Sequence, residues 1–194
     1  PSERRKSMKQ WSLALGCDEA GFALKEYLRD KLASDPRVAG VSDSGVLDGQ
    51  DSTAYPEIGL KVATDVAAGD AQRALLICGT GIGMAISANK VKGIRATTAH
   101  DVYSVERSVL SNNCQVLTLG ARVVAPELAW ALVDRWLDLE FDDSSPSAAK
   151  VQIITDYDEG EIPNNESDED KLRRLKNRYD EKTLKERQFK KQFN

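Results

Sequence analysis

A chain of 194 residues, 41% hydrophobic and 30% charged, has material for one globular domain and an appendage rather than for two full domains. Its 27 basic and 31 acidic side chains, net −4 with a pI near 5.2, argue against nucleic acid as a partner. No apolar run approaches the roughly 20 residues of a membrane span. Three scattered cysteines and one histidine supply neither a disulfide framework nor a zinc ligand set.

Residues 1–11, with Arg4, Arg5 and Lys6 before a credible start at Met8, read as a leader or expression remnant. No signal-type apolar stretch follows, and a cytoplasmic location is expected. From Ser12 to Tyr157 short apolar runs alternate with segments of helical period, the pattern of βαβ units and a parallel sheet. A strand over Leu13–Gly16 leads to a helix over Ala23–Leu32, then a strand over Val38–Ser42. Pro56 opens a helix over Glu57–Ala67, followed by a strand over Ala74–Cys78 and a helix over Gly83–Lys90. The fourth strand is predicted at Ile94–Thr98, a helix at Val102–Leu110, and the fifth strand at Val116–Leu119. All five read as the short, fully buried type. A helix over Pro126–Leu137 follows. A last one over Ser145–Asp156 closes the domain, with Val151, Ile154 and Tyr157 turned inward. Trp11, Trp130 and Trp136 read as packing residues, and Lys25, Lys90 and Arg95 as structural or solvated. Residues 158–194 form a charged extension. Segment 156–170 holds eight acids and no base, whereas 171–194 holds ten bases and three acids. Such blocks are usually solvated, disordered or a lone helix, although Leu172, Leu175, Tyr179, Phe189 and Phe193 would share a helical stripe able to dock on a partner.

In an open parallel sheet ligands bind beyond the carboxyl ends of the strands, which directs attention to two turns. The first reads Gly16-Cys-Asp-Glu-Ala-Gly21 and the second Cys78-Gly-Thr-Gly-Ile-Gly83. Neither is a nucleotide fingerprint: the first lacks G-x-G-x-x-G, and the second lacks the Lys-Ser/Thr of a P-loop. The second places a thiol beside successive backbone N–H groups at a helix start, where a thiolate base or nucleophile and a developing oxyanion are both favoured. A cysteine at a buried strand end is also an ordinary small core residue. The three alternate glycines shift the balance toward chemistry, because they weaken a helix start unless backbone must approach something closely.

These motifs, with Ala54-Tyr-Pro-Glu57, Ala88-Asn-Lys90, Gly93-Ile-Arg-Ala96 and Leu117-Thr-Leu-Gly-Ala-Arg-Val-Val124, resemble the type B ribose-5-phosphate isomerase family, which includes the galactose-6-phosphate isomerase subunits. The resemblance runs from Leu13 to about Tyr157. It implies a Rossmann-like three-layer αβα sandwich on a five-stranded parallel sheet. It also implies a homodimer with sites at the subunit interface, with pairing into tetramers left open, and isomerisation of an aldose and a ketose through an enediolate without metal or other cofactor. By position it makes Cys78 the base between C1 and C2, and Gly79, Thr80, Gly81, Ile82 and Gly83 the oxyanion cradle. Asp18 would hold sugar hydroxyls or assist ring opening, and Tyr55 would line the pocket. Asn112 and Arg122 would reach in from the partner subunit, Arg122 toward a phosphate.

The chain departs from the family pattern at three places. Glu19 stands where the family has His after Asp, and Ser111 where it has a ring-opening His before Asn. The segment that usually supplies two phosphate-binding arginines keeps only Lys150. A phosphate beside Glu19 would meet like charge, at a cost of about 1 kcal/mol or more. The only histidine, His100, either takes over the proton shuttle or joins Asp101 in capping the next helix. The expected substrate pair is ribose 5-phosphate and ribulose 5-phosphate. The alternatives are another sugar phosphate, an unphosphorylated sugar, or a non-catalytic sugar-binding or scaffold role.

Overall fold

The structure, a computed structural model, describes residues 9–160 and, further on, residues 172, 173, 176, 177, 179–181, 183 and 185. The chain divides into two compact units, Pro1–Thr155 and Asp156–Asn194. In the first unit, β1 (Trp11–Cys17) is followed by a 3-10 turn (Glu19–Gly21), α1 (Phe22–Ala33), β2 (Val38–Asp43) and α2 (Tyr55–Ala68). Then come β3 (Arg73–Cys78), α3 (Ile82–Ala88), β4 (Ala96–Thr98), α4 (Val102–Leu110), β5 (Val116–Gly120) and α5 (Pro126–Leu137), and α6 (Ala148–Asp158) begins in this unit and ends in the second. All strand pairs are parallel, in the order β2-β1-β3-β5-β4.

Right-handed crossovers decide which face each helix takes. The chain steps one way across the sheet through α1 and α4 and the other way through α2 and α3, so the two pairs lie on opposite faces. Packing agrees: α2 lies against α3, and α5 against both α1 and α4. The result is an α/β, Rossmann-like sheet with flanking helices, as expected. Its core is built from Leu13, Leu15, Leu75, Leu76, Ile77, Leu117 and Leu119 of the three inner strands, with Leu28, Val62, Leu132 and Trp136 from the helices.

Several expectations need correction. Only β1, β3 and β5 are buried along their length; β2 and β4 are edge strands with partly exposed residues. β4 begins at Ala96, because Gly93 takes φ +82° and the Ile94 N–H bonds back to Val91 O, which keeps Ile94 in a turn. β1 starts at Trp11, which is buried and therefore not part of a leader. In α6 only Val151 turns inward, while Ile154 and Tyr157 are 43% and 65% exposed. Apolar residues spread around that helix leave no single stripe to bury. Trp136 is fully buried, and Lys25 is buried between Glu26 and Asp43 rather than solvated. In the second unit Leu172 and Tyr179 are helical and exposed; Leu175, Phe189 and Phe193, like Arg4, Arg5, Lys6 and Met8, lie outside the described residues.

Candidate active site

The strand order reverses direction between β1 and β3, since the chain leaves β1 toward β2 on one side and places β3 on the other. Such a switch point is where an open α/β sheet leaves a crevice. The two turns singled out in the sequence are those that leave β1 and β3. They meet: the Asp18 N–H bonds Ile77 O at 3.3 Å, and Gly21 lies so close over that carbonyl that a Cβ would come within 2.5 Å of it.

Cys78 ends β3, buried, with its Sγ accepting the Gly81 N–H at 3.1 Å. This contact needs the turn to fold back sharply, and Gly81 does so at φ +80°, a conformation that L side chains rarely adopt. The turn is held from beneath. Thr118, fully buried, donates to Gly81 O at 2.8 Å and shares a 2.7 Å hydrogen bond with Thr98. Exposed Thr80 accepts the Ile82 N–H at 3.3 Å through its hydroxyl. Two amides of the Gly79–Gly83 turn are thereby engaged inside it, so oxyanion binding would fall to the others.

Three further residues close around the turn. A Cβ on Gly83 would strike the Tyr55 ring at 2.5 Å, so glycine there lets the ring lie on the start of α3. A Cβ on Gly79 would come 3.3 Å from a guanidinium nitrogen of Arg122, and the Arg122 backbone N–H donates to Gly79 O at 3.0 Å. Arg122 thus reaches the cluster within its own chain, which corrects the expectation that it arrives from a partner. The reason is register: Cys78 pairs with Gly120, so the turn after β5 falls beside the turn after β3. Ile82 is 56% exposed at the mouth of this cluster.

His100 does not cap α4. Asp101 does, accepting the Ser104 N–H at 2.8 Å, whereas His100 Nε2 accepts the Gly120 N–H at 2.9 Å. Burial lowers the imidazole's pKa below its ordinary value, and the amide bond to Nε2 assigns the proton to Nδ1. The Asp18 carboxylate accepts the Gly21 N–H at 3.0 Å and caps the 3-10 turn, in which Glu19 stands exposed. Burial pushes Cys17 up to about 12 and Cys114 up to about 11, which keeps both protonated.

Two expected residues are not brought to this cluster. Asn112 lies exposed in the turn before the amino-terminal end of β5, whereas Cys78 lies at the carboxyl end of its parallel neighbour β3, and Lys150 is exposed on α6. Thr118 and Gly120 were missed as supports. A threonine inside the otherwise apolar run Val116–Leu119 was the available signal, since a buried hydroxyl needs a partner. Among the described residues no three His, Cys, Asp or Glu side chains gather as metal ligands, and no helix is long and apolar enough to cross a membrane.

Comparison with known proteins extends over the same part of the chain. A family model described as Ribose/Galactose Isomerase matches residues 13–154. The D-erythrulose-4-phosphate isomerase 2 of Mycolicibacterium smegmatis is 62% identical over 146 residues, which are 75% of this chain and 96% of that protein. The ribose-5-phosphate isomerase B of Listeria innocua is 44% identical over 147 residues, 76% of this chain and 97% of that one. Among solved structures, ribose-5-phosphate isomerase B of Clostridium thermocellum superposes with a TM-score of 0.72 at 38% identity, covering 77% of this chain and 98% of its own.

Proposed function

Because the chain belongs to the ribose/galactose isomerase family and is an aldose–ketose isomerase of sugar phosphates, we propose that it interconverts D-erythrulose 4-phosphate and D-erythrose 4-phosphate, with Cys78 as the base. The observation that carries the choice of sugar is the 62% identity to the mycobacterial D-erythrulose-4-phosphate isomerase over nearly its full length, against 44% for the Listeria ribose-5-phosphate isomerase. Geometry supports it. Arg122 lies against Gly79, the residue next to Cys78, so its cation stands close to the reacting carbons, where a short substrate carries its phosphate.

In the ketose-to-aldose direction the Cys78 thiolate takes a proton from C1. The negative charge develops on the oxygen of C2, facing the amides of the Gly79–Gly83 turn. The proton then returns to C2, and a second proton passes from the C1 oxygen to the C2 oxygen, so the isomerisation balances within the substrate. The Gly81 N–H directed at Sγ orients the sulfur. Thr80, Ile82 and Tyr55 shape the mouth, and Asp18 and Glu19 face the sugar hydroxyls.

Asn112 is too remote to serve its own chain's Cys78, so we assign it to the site of a second subunit in a homodimer. Exposed Ile82 and Ile86, one turn apart on α3 beside the cluster, supply apolar surface for that contact. Ribose 5-phosphate with ribulose 5-phosphate is the second reading, favoured by the Listeria relative.

Replacement of Cys78 by Ala tests the base. Turnover of D-erythrulose 4-phosphate should fall about a thousandfold, while calorimetric affinity for the sugar phosphate stays within a fewfold of wild type. Retention of more than a tenth of the activity would remove Cys78 from the chemistry.

A further inference from the structure

An enediolate can form only from a free carbonyl, and sugars differ in whether they present one. An aldopentose 5-phosphate closes through its C4 oxygen into a five-membered ring. A four-carbon sugar phosphorylated at C4 has no oxygen placed to close one, and a 2-ketopentose phosphorylated at C5 has none either. An isomerase that accepts a ring must first break the bond between C1 and the ring oxygen, moving one proton off the anomeric hydroxyl and another onto the oxygen released. That step needs an acid–base group additional to Cys78, able both to take and to give a proton near neutral pH.

Around the Cys78 turn, His100 and Asp18 are engaged in structural hydrogen bonds. The chain has one histidine, and the Nε2 of His100 is occupied by the Gly120 N–H. To act as a base there it would have to release the backbone of the residue paired with Cys78 across the sheet. Asp18 spends a carboxylate oxygen on the Gly21 N–H. The Thr80 hydroxyl holds the Ile82 N–H, and a lone carboxylate such as exposed Glu19 must take a proton before it can give one, so it cannot assist both ends of the ring-opening step at once. Ser111, next to Asn112, accepts a hydrogen bond from Arg107 at 3.3 Å, and a serine hydroxyl cannot do an imidazole's work in any case.

We infer that this site acts on sugars already open at the carbonyl and does not open rings itself. The inference rests on the isomerase reading above and deepens it: the substrate class is the acyclic sugar phosphates, four-carbon aldose and ketose alike, together with 2-ketoses whose ring-closing oxygen is esterified. With a cyclic aldose phosphate the enzyme consumes only what opens spontaneously.

The test compares initial rates at rising concentrations of the full-length wild-type enzyme for D-erythrulose 4-phosphate, ribulose 5-phosphate and ribose 5-phosphate. Spontaneous opening of ribose 5-phosphate is measured separately by trapping the aldehyde. Rates with the two open ketoses should rise in proportion to enzyme, whereas the rate with ribose 5-phosphate should level off at the spontaneous opening rate. A ribose 5-phosphate rate that climbs past that ceiling would overturn the inference while leaving the isomerase reading intact. Turnover of the four-carbon sugar with silence toward both pentoses would also overturn it, because selection would then be by chain length. Silence toward D-erythrulose 4-phosphate would instead overturn the four-carbon reading on which the inference rests.

Discussion

The chain holds three thiols, all buried, and their places in the fold differ. Cys17 and Cys114 are kept protonated by burial, and Cys78 is the one that ends an inner strand at a turn whose Gly81 takes a conformation L side chains rarely adopt. A short motif of thiol and alternate glycines carried most of that information, so this turn of the candidate site was legible in the sequence. The place of Arg122 was not, because it depends on the register that sets Cys78 opposite Gly120 across non-consecutive strands. Nor was the state of His100, where one backbone hydrogen bond decides between a shuttle and a support. That bond carries a pH signature. The folded state holds His100 below its ordinary value through burial, so as pH falls below about 6.5 the unfolded chain binds the proton more readily than the folded one. The contribution of His100 to stability is complete above that pH and is lost as pH falls through the lower folded value. Melting temperatures at pH 7.5 and 5.5 should therefore diverge more in wild type than in His100→Gln, and equal pH dependence in the two would contradict the assignment.

Among the elements, helices and inner strands followed from periodicity, since their apolar faces are continuous in sequence. The edge strands β2 and β4 and the closing α6 did not, because their exposure depends on what neighbours them in space. The end of α5 shows a further contact that no local pattern announces. Arg73, at the start of β3 and 5% exposed, donates to Trp136 O and Leu139 O at 2.9 and 2.5 Å and stacks 3.6 Å from the centre of the Trp11 ring, while Trp11 Nε1 donates to Leu137 O. Burial pulls the guanidinium down to about 10, still charged at neutral pH, and the carbonyls at a helix C-terminus favour that charge. Replacing Arg73 with Met would leave those carbonyls unsatisfied and should cost about 3 kcal/mol in urea unfolding. A loss below about 0.5 kcal/mol would show that α5 ends independently of β3.

For the molecule as a whole, strand order determines where chemistry can occur. The reversal between β1 and β3 joins the turns of Asp18 and Cys78, and the packing of β5 beside β3 adds Arg122 and, through Gly120, His100. The family match ends at residue 154, close to the boundary between the two compact units, so the catalytic account is contained in the first. The charged extension was legible as a change of composition but not as a structure, because alternating blocks of acid and base lack the apolar pattern that dictates packing. The central claim concerns a four-carbon substrate handled by Cys78, and the most direct measurement is kcat/KM for D-erythrulose 4-phosphate and ribulose 5-phosphate, both acyclic, with wild type and Cys78→Ala side by side. A preference of wild type for the four-carbon sugar of at least tenfold, about 1.4 kcal/mol in transition-state binding, abolished with all turnover in Cys78→Ala, is the predicted result. Equal or better use of ribulose 5-phosphate, or activity that survives loss of the thiol, would contradict it.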